Sequence, residues 1–269
     1  MKKLLLTAAL VFGLGISSAQ AAIYHEFDIQ RLYDFGTLYS FDGTTYTPTN
    51  NPGSLPILAD TAGEADGDED TWGIAVIDEI STILGPIHYD SSIDPYELTI
   101  FFYGFEDDKI TSPDGALNVI IGSVGGHILV YKDLTPDFDE TLGTAGRTGT
   151  TTYTGATEGT LVLDLVPLAQ NLDGHTLVSI FNFSTFTGSG SMFLETTGAG
   201  LWDSWYDTNE EPLGSDFEFT YTVRNNVKPV VADWIVRGDG RAEGAIPEPA
   251  TMLLFGSGLA GAFLRRKRA

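Results

Sequence analysis

Short runs of β-branched and aromatic residues, interrupted every few positions by Gly, Pro, Asp or Asn, restrict this chain to a β architecture. The clearest run is 217–223, where Phe217, Phe219, Tyr221 and Val223 alternate with Glu218, Thr220 and Thr222. That period of two is the mark of a strand with one buried and one wet face. Leu161, Leu163 and Leu165 repeat it against Val162 and Asp164, whereas Leu98-Thr99-Ile100-Phe101-Phe102-Tyr103 is nearly continuous and predicts a central strand. The pattern predicts strands over 23–32, 37–41, 71–80, 97–105, 116–124, 127–132, 159–165, 176–183, 191–196, 217–224 and 230–237. Asp114-Gly115 and Gly125-Gly126 are predicted hairpin turns. Helix signals are confined to one short turn at 167–171, with Pro167 at its first position. Many strands and almost no helix predict an all-β fold, a two-sheet antiparallel β-sandwich of jelly-roll or lectin-like type. An immunoglobulin-like pair of domains is the alternative, although no linker divides the middle of the chain. The stretch 238–246 (GDGRAEGAI) lacks apolar periodicity and reads as a flexible spacer, and the Thr- and Gly-rich stretch 135–157 reads as an exposed loop, with an O-glycosylated patch as the alternative.

The two ends of the sequence read as signals rather than as fold. Lys2 and Lys3 precede an uncharged, Leu-rich stretch from Leu4 to Ile16, and Ala19-Gln20-Ala21 supplies a small-x-small cleavage pattern. Together they predict a signal peptide over 1–21, removed by signal peptidase, and a β-sandwich ectodomain over 22–237. After the spacer, residues 247–269 fall into three parts: Pro247-Glu248-Pro249, an uncharged run from Ala250 to Leu264, and the basic cluster Arg265, Arg266, Lys267 and Arg268. As a helix the uncharged run is about 22 Å long at ~1.5 Å per residue, against a hydrocarbon core of about 30 Å. It is short for a permanent transmembrane helix, and the cations are expected on the cytoplasmic side. The proline pair biases the junction towards extended backbone and marks the start of the helix.

A Pro-Glu-Pro stop, an apolar helix and a cationic end resemble the PEP-CTERM sorting signal of exported Gram-negative proteins. The resemblance implies transient anchoring in the inner membrane, processing by an exosortase at Pro247-Glu248-Pro249, and delivery to the cell surface or the extracellular matrix. The run Glu69-Asp70-Thr71-Trp72-Gly73-Ile74 and the later Glu97–Gly104 segment are also similar to ectodomains that carry this signal, most of them without assigned function.

Charge and cysteine usage narrow the partners. The chain has no cysteine, so disulfides and thiolate zinc sites are excluded and an exported fold must rest on its core. Without the terminal signals, eight cations face thirty-six acids, a net charge of −28. Nucleic acid and anionic lipid are poor partners for such a surface, whereas divalent cations, basic proteins and neutral glycans suit it.

Two clusters carry candidate chemistry. Asp66, Asp68 and Asp70 place carboxylates at alternate positions, as in the opening of a calcium loop. Thr71 and Ile77 stand where an EF-hand requires Gly and Glu, so calcium, the one cofactor considered, would need a looser loop. Trp202, Trp205 and Tyr206, interleaved with Asp203 and Asp207, form a candidate glycan platform. The four histidines are scattered along the chain, and neither a Gly-x-Ser-x-Gly elbow nor a His-Glu-x-x-His motif occurs. The sequence therefore predicts a non-enzymatic protein of the surface, or of an exopolysaccharide or biofilm matrix, with a structural or adhesive role that includes contact with glycans. An extracellular carbohydrate-active enzyme using paired carboxylates is the alternative.

Overall fold

The computed structural model describes residues 22–35, 39–41, 46–48, 69–111, 118–182, 184–225, 231–232, 234 and 236–247. In chain order the strands are β1 (Ala22–Phe35), β2 (Tyr39–Phe41), β3 (Tyr46–Pro48), β4 (Thr71–Thr82), β5 (Ile87–Asp90), β6 (Glu97–Thr111) and β7 (Asn118–Asp133). They continue with β8 (Arg147–Gly149), β9 (Thr152–Tyr153), β10 (Thr160–Pro167), β11 (Leu177–Asn182), β12 (Thr187–Thr196), β13 (Phe217–Asn225) and β14 (Val236–Pro247). One four-residue helix, α1 (Asp203–Tyr206), and two 3-10 turns complete the described elements.

The all-β expectation holds, but the sandwich does not: the main sheet closes on itself as an eight-stranded barrel. Its order runs β1-β14-β13-β12-β10-β7-β6-β4, and β4 then pairs back with β1. β10 and β11 share one place in the ring, since both pair with β12 and with β7 at different heights. β5 pairs with the far end of β4, beyond the reach of β6. A two-sheet sandwich leaves edge strands, and closure removes those unpaired donors and acceptors.

The closing strand is the stretch whose sequence reads as a spacer. Residues 238–246 lie inside β14, paired with β13 from Phe217↔Gly244 to Asn225↔Val236. Small residues take the inward positions because the neighbouring rings already fill that space. A Cβ on Gly244 would strike the Phe217 ring, and one on Gly240 would sit 2.9 Å from the Phe219 ring. Apolar periodicity is missing from β14 because its partner strand supplies the bulk.

The predicted turn at Gly125-Gly126 is also corrected. β7 runs through both glycines, with φ of 67° and 101°, alongside Gly104 of β6 at 74°. β6 and β7 bend together there, and the Phe105 ring lies over Gly126 where a Cβ would stand. Positive φ without chain reversal is the device by which long strands turn a barrel corner. β6 and β7 remain antiparallel out to Thr111↔Ile120, and the predicted turn at Asp114-Gly115 lies outside the described residues.

Two cores result. Phe27, Ile29, Ala75, Ile77, Ile100, Val130, Leu163, Leu165, Leu194 and Phe217 fill the barrel. On its outer side Tyr33, Trp72, Ile74, Phe101, Tyr153, Ala156 and Trp234 form a second cluster. The second cluster explains why 98–103 is apolar on both faces. It also corrects the exposed-loop reading of 135–157: that segment contributes a 3-10 turn (Glu140–Gly146), β8 and β9 to the cover. Glu97 Oε1 accepts the Asp137 and Phe138 N–H groups, and Thr99 Oγ1 donates to the Ala156 carbonyl at 2.6 Å, tying the cover to β6.

Candidate functional site

The structure scatters the residues singled out from sequence and gives several of them structural work. Asp66 and Asp68 lie outside the described residues; Asp70 is buried, and its Oδ2 accepts the Asp107 N–H at 2.9 Å. The adjacent Glu69 makes a two-pronged pair with Arg147, at 2.9 and 3.0 Å, with both side chains 2% exposed. The Arg147 guanidinium also lies 4.6 Å from the Trp72 ring centroid. This end of the acidic run thus anchors the cover segment to the barrel. Among the described residues no group of three or more His, Asp or Glu is placed to hold a metal ion.

Of the three rings Trp202, Trp205 and Tyr206, two stay together. Trp202 and Trp205 stack with centroids 6.3 Å apart and planes 13° apart, and Trp205 is 58% exposed. Tyr206 turns away into the core, where it packs on Phe27 and Phe217 and its hydroxyl meets His25 Nδ1 at 2.9 Å. Burial raises its pKa. Asp203, interleaved with those rings in the sequence, is buried and accepts the N–H groups of Gly198, Gly200 and Asp164. Asp216 likewise accepts from Thr196, Thr208 and Asn209. Both carboxylates shape loops rather than wait for ligand.

Two of the scattered histidines meet: the His25 and His88 rings are 4.7 Å apart, and His88 Nε2 lies 2.7 Å from Thr82 Oγ1. Burial, then the charge of His88, lowers the pKa of His25. His127 pairs with Asp164 beneath a parallel Tyr103 ring 5.3 Å away. The His25–His88 and His127–Asp164 pairings join strands far apart in sequence, so no local spacing reveals them.

Sequence reading also missed a surface. A groove of about 960 Å³ crosses the outer side of β11–β14 and β1, lined by Asp28, Gln30, Thr187, Ser189, Thr222, Arg237 and Asp239. Its floor is hydroxyl-rich because Thr187, Ser189 and Ser191 of β12 stand beside Thr220 and Thr222 of β13 on the outer face, and Thr222 Oγ1 donates to Asp239 Oδ2 at 3.0 Å. The available signal was the run of outward hydroxyls at every second position.

At the C-terminal end, Ala245 is fully buried, Ile246 packs on the barrel core, and β14 ends at Pro247. Glu248, Pro249, the run 250–264 and the cluster Arg265, Arg266, Lys267 and Arg268 lie outside the described residues. Residues 245–268 match the PEP-CTERM protein-sorting motif. The chain carries a PEP-CTERM sorting signal. The motif indicates an exported protein that passes through the membrane for sorting and is processed by an exosortase. The matched residues begin at 245, within the range of β14 (Val236–Pro247). No curated protein and no solved structure matches the chain. Among the described residues no helix is long and apolar enough to cross a membrane.

Proposed function

We propose that this PEP-CTERM protein is a non-enzymatic barrel of the cell surface or polysaccharide matrix, with a structural or adhesive role exerted through glycan contact. The observation that carries the reading is the sorting motif at residues 245–268. The outer groove supports the ligand class: Ser and Thr hydroxyls, Asp acceptors and Arg donors match the hydrogen-bonding inventory of a sugar chain. The open face of Trp205 adds a second contact, because apolar sugar faces stack on aromatic rings. The net charge of the body favours neutral over anionic polysaccharide.

A glycan array probed with the full-length protein tests this. Binding to neutral glycans that falls at least tenfold in Thr222→Ala/Arg237→Ala, or in Trp205→Ala, is the expected result. An array without binding, or binding indifferent to all three changes, overturns the ligand class and leaves the sorting signal untouched.

A further inference from the structure

We propose that the barrel interior is a binding site for a small, largely apolar molecule with one hydrogen-bonding head, an alcohol or a primary amine, held at Asp34. A cavity of about 80 Å³ lies inside the barrel, walled by Phe102, Ile128, Leu163, Met192 and Phe219. At ~10–15 Å³ per water-sized occupant, it has room for roughly half a dozen heavy atoms. Asp34, Thr71 and Tyr221 bring the polar atoms to this otherwise apolar wall. The Tyr221 hydroxyl already has a partner in Ser179 Oγ, at 2.5 Å. Asp34 Oδ1 is sealed from solvent and has no hydrogen-bond partner.

An unsatisfied carboxyl oxygen in an apolar interior is costly, and native folds rarely keep one without a use. β1 could have avoided it, because Phe27, Ile29 and Leu32 supply apolar side chains to the same cavity. Burial first, then the like charge of Asp107, lifts Asp34 well above the usual carboxylate range. A neutral carboxyl both donates and accepts, which matches a hydroxyl. An amine takes the carboxyl proton and leaves an ammonium–carboxylate pair. Anionic ligands are disfavoured by Asp34 and Asp107 together, and a wholly apolar ligand leaves Oδ1 unsatisfied. This site is independent of the outer groove, so either can fail without the other.

The test uses the full-length protein with cyclopentanol, cyclopentylamine and cyclopentane as probes, followed by calorimetry and thermal unfolding. Cyclopentanol and cyclopentylamine should bind at least tenfold more weakly to Asp34→Leu than to wild type, while cyclopentane binding changes less than twofold. Asp34→Asn, close in shape, should keep cyclopentanol and lose cyclopentylamine, and it carries the test if Asp34→Leu does not fold. Failure of all three probes to bind the wild type, or head-group affinities unchanged in both variants, overturns the proposal.

Discussion

Single buried charges set much of the stability of this molecule. Arg147 and Glu69 are shut from water and satisfied by each other, with Arg147 also reaching the Gly149 and Thr150 carbonyls. Removing one partner strands the other, so Glu69→Ala should cost about 3–5 kcal/mol in urea unfolding. Replacing both by apolar residues of similar volume should cost far less. Glu211 behaves differently, because burial and the nearby Glu218 and Glu243 push its pKa from 4.5 to about 7. A carboxyl protonated more readily in the folded state stabilises the fold below pH 4.5 and loses that contribution as pH rises to about 7. Asp34 is shifted in the same direction. Melting temperature should therefore fall between pH 4.5 and 7, and Glu211→Gln should flatten that slope and raise stability at neutral pH.

At the scale of elements, glycine placement shapes the barrel. Gly126 combines a φ of 101° with the Phe105 ring in the space a Cβ would need. Gly126→Ala should cost about 1–3 kcal/mol, visible as a lower urea midpoint at unchanged slope. Gly244→Val, against Phe217, should cost a similar amount through overpacking. These positions also mark where sequence reading stops. β13 and the middle of β6 were legible because alternation or continuous apolarity is a local property of their own side chains. β14 was not, since its inward Gly238, Gly240 and Gly244 make sense only beside the side chains of β13. Gly125-Gly126 reads as a turn in any local scheme, although here it bends a strand. Tyr206 looked like part of a platform because adjacent rings on a four-residue helix point in different directions, a fact the sequence does not show. The cover segment escaped notice because Tyr153 and Ala156, its buried contributors, are diluted among Thr and Gly.

For the whole molecule, the decisive pairing joins the two ends of the barrel: β1 meets β14 and β4 at once. Truncation after Ile246 should leave the melting temperature within a few degrees of wild type while abolishing delivery to the surface, read by cell fractionation. Truncation after residue 235 removes β14, opens the edges of β1 and β13, and should unfold the barrel by circular dichroism. The sorting signal was legible because three local parts in fixed order identify it, whereas closure depends on residues some two hundred positions apart and leaves no local trace.

That long-range closure has a bearing on time as well as on shape. A chain emerging from its N-terminus presents β1 before the other strands, and the strand that seals β1 comes last, its final residues already within the PEP-CTERM match. Until then the sheet is a half-built wall with two sticky rims, and the loop that must close spans nearly the whole body. Barrel completion and arrival of the sorting signal are thus consecutive moments of one emergence. A protein released early would be both unaddressed and unfinished.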